Sequence, residues 1–107
     1  MLKTLENLIK LARERKKIPV EGSYTNELLK DKSLSRGKVL EEINELIEAV
    51  EENTNKIHEA ADVFYHLLIY LEANKIKIED VMQELEKRKK WAMTKIIFLQ
   101  KFYVERY

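Results

Sequence analysis

Carboxylate side chains recur at helical spacing in two neighbouring stretches of this 107-residue chain. Glu41, Glu42 and Glu45 form the pattern E-E-x-x-E, and Glu59 and Asp62 form E-x-x-D a short way downstream. Residues three or four apart lie on one face of a helix, so each stretch can direct at least two carboxylates toward a common point. Like charges ~4 Å apart repel by about 4 kcal/mol at an effective dielectric near 20. The cluster therefore predicts a bound cation, and hard oxygen ligands favour Mg²⁺, with Mn²⁺ as the other candidate.

A divalent cation held by carboxylates usually acts on phosphates, which predicts a small-molecule nucleotide as the substrate. The chain has neither a P-loop nor a dinucleotide-binding glycine pattern, so the metal and basic side chains would have to hold the phosphates. This predicts hydrolysis of a phosphoanhydride by metal-activated water, with pyrophosphate as the leaving group. One acid that is not fully engaged as a ligand would orient or deprotonate the water. We assign that role to Glu41, because Glu42 and Glu45 pair best at ligand spacing.

Several polar side chains near the acids are candidates for substrate binding. Lys38 lies one turn before the first acids, where it either meets a phosphate or forms an i,i+4 salt bridge. His66 shares a helix stripe with the second acidic pair, and it is a general base, a phosphate contact or a core histidine. Ser23, Tyr24 and Thr25 offer hydroxyl groups for substrate contacts, although capping and turn formation are the default role of such residues.

The acids also have two interpretations that need no metal. An acidic helix face opposite an apolar stripe is commonly just solvated, and Glu59 and Asp62 could instead form a buried salt bridge with Arg36 or Lys38. Charges on an otherwise apolar central helix are costly unless they are paired or bound to a metal. That cost favours ligation, and Arg36 is then a further candidate phosphate-binding residue.

The composition limits the possible partners and compartments. A net charge of +1 gives no general attraction to nucleic acid or to an anionic membrane, so neither is predicted as a partner. The chain has no cysteine, which excludes disulfides and thiolate metal sites. No apolar run approaches the roughly 20 residues of a membrane span, and the N-terminus lacks the apolar core of a signal peptide. We therefore expect a cytoplasmic protein.

Apolar periodicity and the scarcity of glycine and proline predict an all-α fold, resembling a four-helix bundle and completed by dimerisation. The predicted helices cover residues 2–16, 23–30, 36–52, 55–74 and 78–90, with a polar turn at 31–37. Residues 1–90 would form the domain. The apolar and aromatic segment 91–107 is predicted to continue as helix and to pack on the same domain or on the partner of a homodimer.

Three stretches carry a resemblance to a known family. They are residues 21–25 (EGSYT), residues 38–45 (KVLEEINE) and residues 59–68 (EAADVFYHLL). The acidic motifs alone resemble the MazG-like all-α nucleotide pyrophosphohydrolases. With the other residues, the chain is similar over roughly residues 3–90 to the phosphoribosyl-ATP pyrophosphohydrolases of that superfamily.

The resemblance implies hydrolysis of phosphoribosyl-ATP to phosphoribosyl-AMP and pyrophosphate, the second step of histidine biosynthesis. It also implies Mg²⁺ dependence, a helical bundle and a homodimer. The metal-binding role carries over to Glu42, Glu45, Glu59 and Asp62, with Glu41 adjacent. Segment 91–107 departs from the family's common core, and the chain is too short to include the cyclohydrolase domain to which such enzymes are often fused.

Two other functions compete with this interpretation. The first is a housecleaning enzyme of the same superfamily that hydrolyses non-standard or surplus nucleoside triphosphates. The second is a non-enzymatic helical dimerisation module, in which the acids form a solvated face. Hydrolysis of ordinary deoxynucleoside triphosphates would support the first, and a dimer without divalent-metal binding would support the second.

Overall fold

The computed structural model describes residues 1–99, with side chains described for residues 1–90. Within residues 1–99 the regular structure is entirely helical, which confirms the predicted all-α class. The helices are α1 (Lys3–Lys17), α2 (Tyr24–Lys30), α3 (Lys32–Glu52), α4 (Lys56–Ala73) and α5 (Ile78–Leu99). The chain forms two compact units, Met1–Lys75 and Ile76–Tyr107, and the first contains α1 to α4.

Helix α3 begins earlier than the sequence suggested. The polar turn predicted over residues 31–37 is wrong, because the helix starts at Lys32 and runs through Gly37. Asp31 acts as the N-cap, since its side chain accepts a hydrogen bond from the backbone N–H of Leu34 at 3.0 Å. A single helical glycine costs only about 1 kcal/mol, which the cap offsets.

The short helix α2 is held at its start by the predicted cap. The side chain of Ser23 accepts from the backbone N–H of Asn26 at 3.3 Å. Leu28 is fully buried, and together with Ala12 of α1 and Ile69 of α4 it forms the core of the first unit. The contact of three helices at this core fixes α2 against α4, next to the acidic residues.

A three-residue turn between α3 and α4 brings the two acidic motifs to one seam. Asn53 ends α3 in the left-handed conformation (φ 56°), and Asn55 precedes α4 with φ 36°. Asparagine tolerates this conformation better than most residues, and the Thr54 N–H bonds to the Ala49 carbonyl at 2.9 Å. Two helices joined by so short a turn pack side by side, so α3 and α4 form a helical hairpin.

The face of α3 that is buried within the unit is not the face that carries its large apolar side chains. Its buried residues are Ser35, Glu42 and Ala49, spaced seven apart. Large apolar side chains on α3 and α4 remain exposed by 38–88%, namely Leu34, Leu40, Ile43, Ile47, Val50, Ile57, Phe64 and Leu67. The apolar helix α4, which the sequence analysis took as central, is therefore not covered on every side within a single chain, and this hairpin has an uncovered apolar surface.

The second unit contains α5, which starts with Glu79 and Asp80 in its first turn, where acidic side chains favour the helix dipole. The helix predicted over residues 78–90 was also predicted to continue into segment 91–107, and it does so as far as Leu99. Residues 100–107 and the predicted packing of segment 91–107 lie outside the described residues. None of the described helices is long and apolar enough to cross a membrane.

Candidate metal centre and substrate site

The acids of α3 converge as their spacing predicted. Glu41, Glu42 and Glu45 each offer a carboxylate oxygen, and the three oxygens lie within 4.8 Å of one another. Their exposure differs, because Glu41 faces solvent, Glu45 is half-buried and Glu42 is only 5% exposed. The structure therefore places one glutamate of the motif inside the helical hairpin and another at its rim.

The acids of α4 form a second group that includes a residue the sequence analysis missed. His58, Glu59 and Asp62 also offer ligand atoms within 4.8 Å of one another. The His58 Nε2 atom lies 3.4 Å from an Asp62 carboxylate oxygen. His58 precedes Asp62 by four residues, so helical spacing was a usable signal for this contact.

The two acidic groups act on each other across the seam, and Glu45 links them. Burial raises the pKa of Glu42, and the Glu45 carboxylate raises it further, while His66 lowers it. Burial also raises the pKa of Glu59, again with Glu45 as the next contributor. Asp62 adds to both shifts. The four residues predicted as metal ligands thus form a single repulsive cluster contributed by α3 and α4.

The cluster fits a divalent cation by its chemistry. Glu42 and Glu59 each bury one carboxylate oxygen, Oε2, that has no hydrogen-bond partner among the described residues. An unpartnered buried carboxylate oxygen is costly, and adjacent negative charge increases the cost. A cation with oxygen ligands would relieve both costs, and the four acids supply only oxygens. The structure therefore has the donor set for the predicted site, and the ligand assignment itself stays a prediction.

Lys38 neutralises part of the α3 group. Its ammonium lies 3.1 Å from Glu41 and 3.7 Å from Glu42. Arg36 is exposed and makes no ion pair within the part of the chain that the structure describes. The alternative in which the α4 acids pair with Arg36 or Lys38 is therefore not what this structure has, because Lys38 pairs within α3.

Tyr24 and His66 meet beside the acids. The Tyr24 hydroxyl lies 2.9 Å from His66 Nε2, and His66 Nδ1 lies 2.7 Å from the Asp62 carbonyl oxygen. Both ring nitrogens of His66 are thus engaged by the protein, and the side chain is buried. Lys38 and the Glu41 and Glu42 carboxylates act electrostatically on the Tyr24 phenol, which puts Tyr24 next to the cluster.

The remaining hydroxyls of this region have structural partners. Ser23 Oγ accepts from Arg15 at 2.8 Å in addition to capping α2. Thr25 is buried and its Oγ1 lies 2.6 Å from the Tyr65 hydroxyl. The sequence analysis did not foresee this pair, because no spacing rule links residues 40 positions apart. The predicted substrate roles of Ser23, Tyr24 and His66 stay predictions.

Comparisons with known proteins agree with these motifs. The family model described as "Phosphoribosyl-ATP pyrophosphohydrolase" matches residues 2–89. A protein named "Phosphoribosyl-ATP pyrophosphatase" from Clostridium acetobutylicum is 41% identical over 96 residues, and the match covers 85% of this chain and 86% of that relative. No solved structure matches the chain.

Longer relatives match over part of their length. A "Histidine biosynthesis bifunctional protein HisIE" from Pyrococcus furiosus is 43% identical over 84% of this chain and 42% of its own length. A chloroplastic protein of the same description from Arabidopsis thaliana is 38% identical over 81% of this chain and 33% of its own length. The chain therefore spans less than half of these two bifunctional relatives.

Proposed function

The chain belongs to the phosphoribosyl-ATP pyrophosphohydrolase family, and we propose that it hydrolyses phosphoribosyl-ATP to phosphoribosyl-AMP and pyrophosphate in a Mg²⁺-dependent reaction. The relative from Clostridium acetobutylicum carries the name of this activity and is matched along most of its length. The reaction is the second step of histidine biosynthesis, and the names of the two bifunctional relatives include this pathway.

The observation that best supports the proposal is the shared acidic cluster of α3 and α4. Two buried carboxylate oxygens, on Glu42 and Glu59, lack hydrogen-bond partners among the side chains that the structure describes. Glu45 couples the two glutamates electrostatically. A solvated acidic face would expose these oxygens to water. Their burial therefore favours a cation site over the non-enzymatic interpretation.

Four side chains, Glu42, Glu45, Glu59 and Asp62, would hold the cation. When bound, Mg²⁺ polarises the phosphoryl oxygens and lowers the pKa of a bound water. Glu41 lies within 4.8 Å of Glu42 and Glu45 but faces solvent, where its carboxylate would accept a proton from an attacking water. Lys38 lies 3.1 Å from Glu41 and can turn its ammonium toward a substrate phosphate.

A second copy of the chain is the proposed partner. The exposed apolar side chains of α3 and α4 include Leu40, Ile47 and Phe64, each at least 50% exposed. Several large exposed apolar side chains on one helical hairpin are typical of an interface, and a second hairpin would complete a four-helix bundle. Sedimentation equilibrium should give a dimer for the wild type and a monomer for Ile47→Glu. The control is Asn44→Glu, which introduces a glutamate at an exposed polar position of the same helix and should remain a dimer.

Pyrophosphate release from phosphoribosyl-ATP, measured with and without Mg²⁺, tests the proposed reaction. Glu45→Gln should reduce the rate of pyrophosphate release by more than about 10- to 100-fold, which is the loss typical of a residue that only supports a metal ligand. The matched control is Glu48→Gln, which removes an exposed carboxylate from the same helix. The reaction would be refuted by metal-dependent release from ordinary or non-standard nucleoside triphosphates instead, and silence on every substrate would favour the dimerisation module.

A further inference from the structure

Two hydrogen bonds join α2 to α4, and each involves a tyrosine hydroxyl. Tyr24 bonds to His66 at 2.9 Å, and Tyr65 bonds to Thr25 at 2.6 Å. Thr25 is buried, whereas Tyr24 is 43% exposed although its hydroxyl reaches a buried histidine. The fold therefore fixes Tyr24 at its hydroxyl while leaving much of its side chain exposed.

The direction of the Tyr24 hydrogen bond follows from its neighbours. The Asp62 carbonyl can only accept, so the His66 Nδ1 atom, 2.7 Å away, carries the proton. In the neutral imidazole the other nitrogen, Nε2, then has a lone pair and accepts from the Tyr24 O–H. The single proton of Tyr24 is thereby used, and the phenolic oxygen keeps a lone pair that can accept a further hydrogen bond.

The surroundings place this oxygen beside the proposed reaction site. Burial raises the pKa of Tyr24, with Glu42 and Glu41 adding to the shift and Lys38 opposing it, so the phenol stays protonated at neutral pH. Phosphate oxygens are acceptors and cannot bond to an oxygen that offers only lone pairs. A hydroxyl group can, because it has a proton to donate, and the sugars of a nucleotide carry such groups.

We infer that the phenolic oxygen of Tyr24, with its own proton held by His66, accepts a hydrogen bond from a sugar hydroxyl of the bound nucleotide. The inference rests on the proposed function for the nucleotide and assigns Tyr24 a role in selecting it. His66 is a positioning residue, since it is buried and reaches the ligand only through the direction it imposes on the tyrosine hydroxyl.

Nucleotides without a phosphoanhydride bond provide the test, because the enzyme cannot hydrolyse them by the proposed reaction. Dissociation constants are measured by calorimetry in Mg²⁺ for AMP, 2′-deoxy-AMP, 3′-deoxy-AMP and phosphoribosyl-AMP. The proteins are the full-length wild type, Tyr24→Phe and the matched control Tyr65→Phe, which removes the hydroxyl of the other α2–α4 hydrogen bond. One neutral hydrogen bond corresponds to about a three- to tenfold change in affinity.

The wild type should bind AMP about three- to tenfold more tightly than one of the deoxy forms. Tyr24→Phe should lose this preference, while Tyr65→Phe should keep it. If the hydroxyl belongs to the second ribose, the loss in Tyr24→Phe is confined to phosphoribosyl-AMP. An equal loss for all four ligands would overturn the inference in favour of a phosphate or purely structural contact, and unchanged affinities would also overturn it.

Substitutions at His66 test its positioning role by the same preference. His66→Gln keeps an amide oxygen that can accept from Tyr24 and should retain part of the preference, whereas His66→Leu should lose it. Equal preferences in both variants would refute the role of His66.

The experiments can refute the inference about Tyr24 and the proposed reaction independently. Hydrolysis of phosphoribosyl-ATP by the wild type without a hydroxyl preference in binding would refute the inference alone. A preference that depends on Tyr24 without hydrolysis would refute the proposed reaction alone.

Discussion

Replacement of Glu42 by glutamine should stabilise the metal-free protein and abolish its stabilisation by metal. Glu42 is 5% exposed, and its oxygen lies within 4.8 Å of oxygens of Glu41 and Glu45. At that distance and an effective dielectric near 20, each carboxylate repels it by about 3 kcal/mol. The Lys38 ammonium, 3.7 Å from the Glu42 carboxylate, attracts it by about 4 kcal/mol at the same effective dielectric.

The two repulsions exceed the one attraction by about 2 kcal/mol before solvent screening. Glu41 and Glu45 are at least partly exposed, so screening reduces the net effect to about 1 kcal/mol. For a domain of this size that corresponds to a rise in melting temperature of about 4–8 °C without metal. With Mg²⁺ at 100 times its dissociation constant, the wild type should gain about 2.7 kcal/mol and the variant nothing.

Thermal unfolding followed by circular dichroism, in chelator and in excess Mg²⁺, measures both effects. The control is Glu72→Gln, a second buried glutamate on α4 that is paired with Arg13 at 2.8 Å and Lys16 at 3.3 Å. This variant should lose about 1–3 kcal/mol in either condition and keep the full response to metal. A destabilised metal-free Glu42→Gln would refute the reasoning, because Glu42 would then be the stabilising partner of Lys38.

The remaining predictions concern pH and two local contacts. Because the carboxyl groups of Glu42 and Glu59 have raised pKa values in the folded state, the folded chain binds protons more tightly above the ordinary glutamate pKa near 4. The free energy of unfolding without metal should therefore fall as pH rises from the ordinary glutamate pKa through the raised pKa values, and it should fall less in Glu42→Gln. Urea unfolding at several pH values measures this, and an equal dependence on pH in the wild type and the variant would contradict it. Thr25→Val leaves the Tyr65 hydroxyl without its 2.6 Å partner and should cost about 1–2 kcal/mol by urea unfolding, with Thr4→Val as the exposed control. Asp31→Ala removes the cap of α3 and should cost about 1 kcal/mol, whereas Asp31→Asn should cost little; equal losses would exclude capping as the cause.

Local rules were sufficient where one helix decides the outcome. The three-residue spacing of Glu42 and Glu45, and of Glu59 and Asp62, brought each pair to one helix face, as the sequence predicted. Ser23 capped α2 because its hydroxyl reaches an N–H group three residues away. The start of α3 was missed, although Asp31 was a usable cap signal, because Gly37 and the polar residues before it resemble a turn more than a helix.

The amino-acid sequence by itself determined the helical class, the two acidic motifs and the family, since these depend on residue type and short-range spacing. Only the tertiary structure decided that Glu42 is buried while the apolar side chains Ile47 and Val50 of the same helix stay exposed. It also decided that Tyr24 meets His66, 42 positions away, and not a solvent-facing partner. The reason is physical: periodicity defines the faces of a helix, but which face is covered depends on the neighbours that the rest of the chain, or a second chain, supplies.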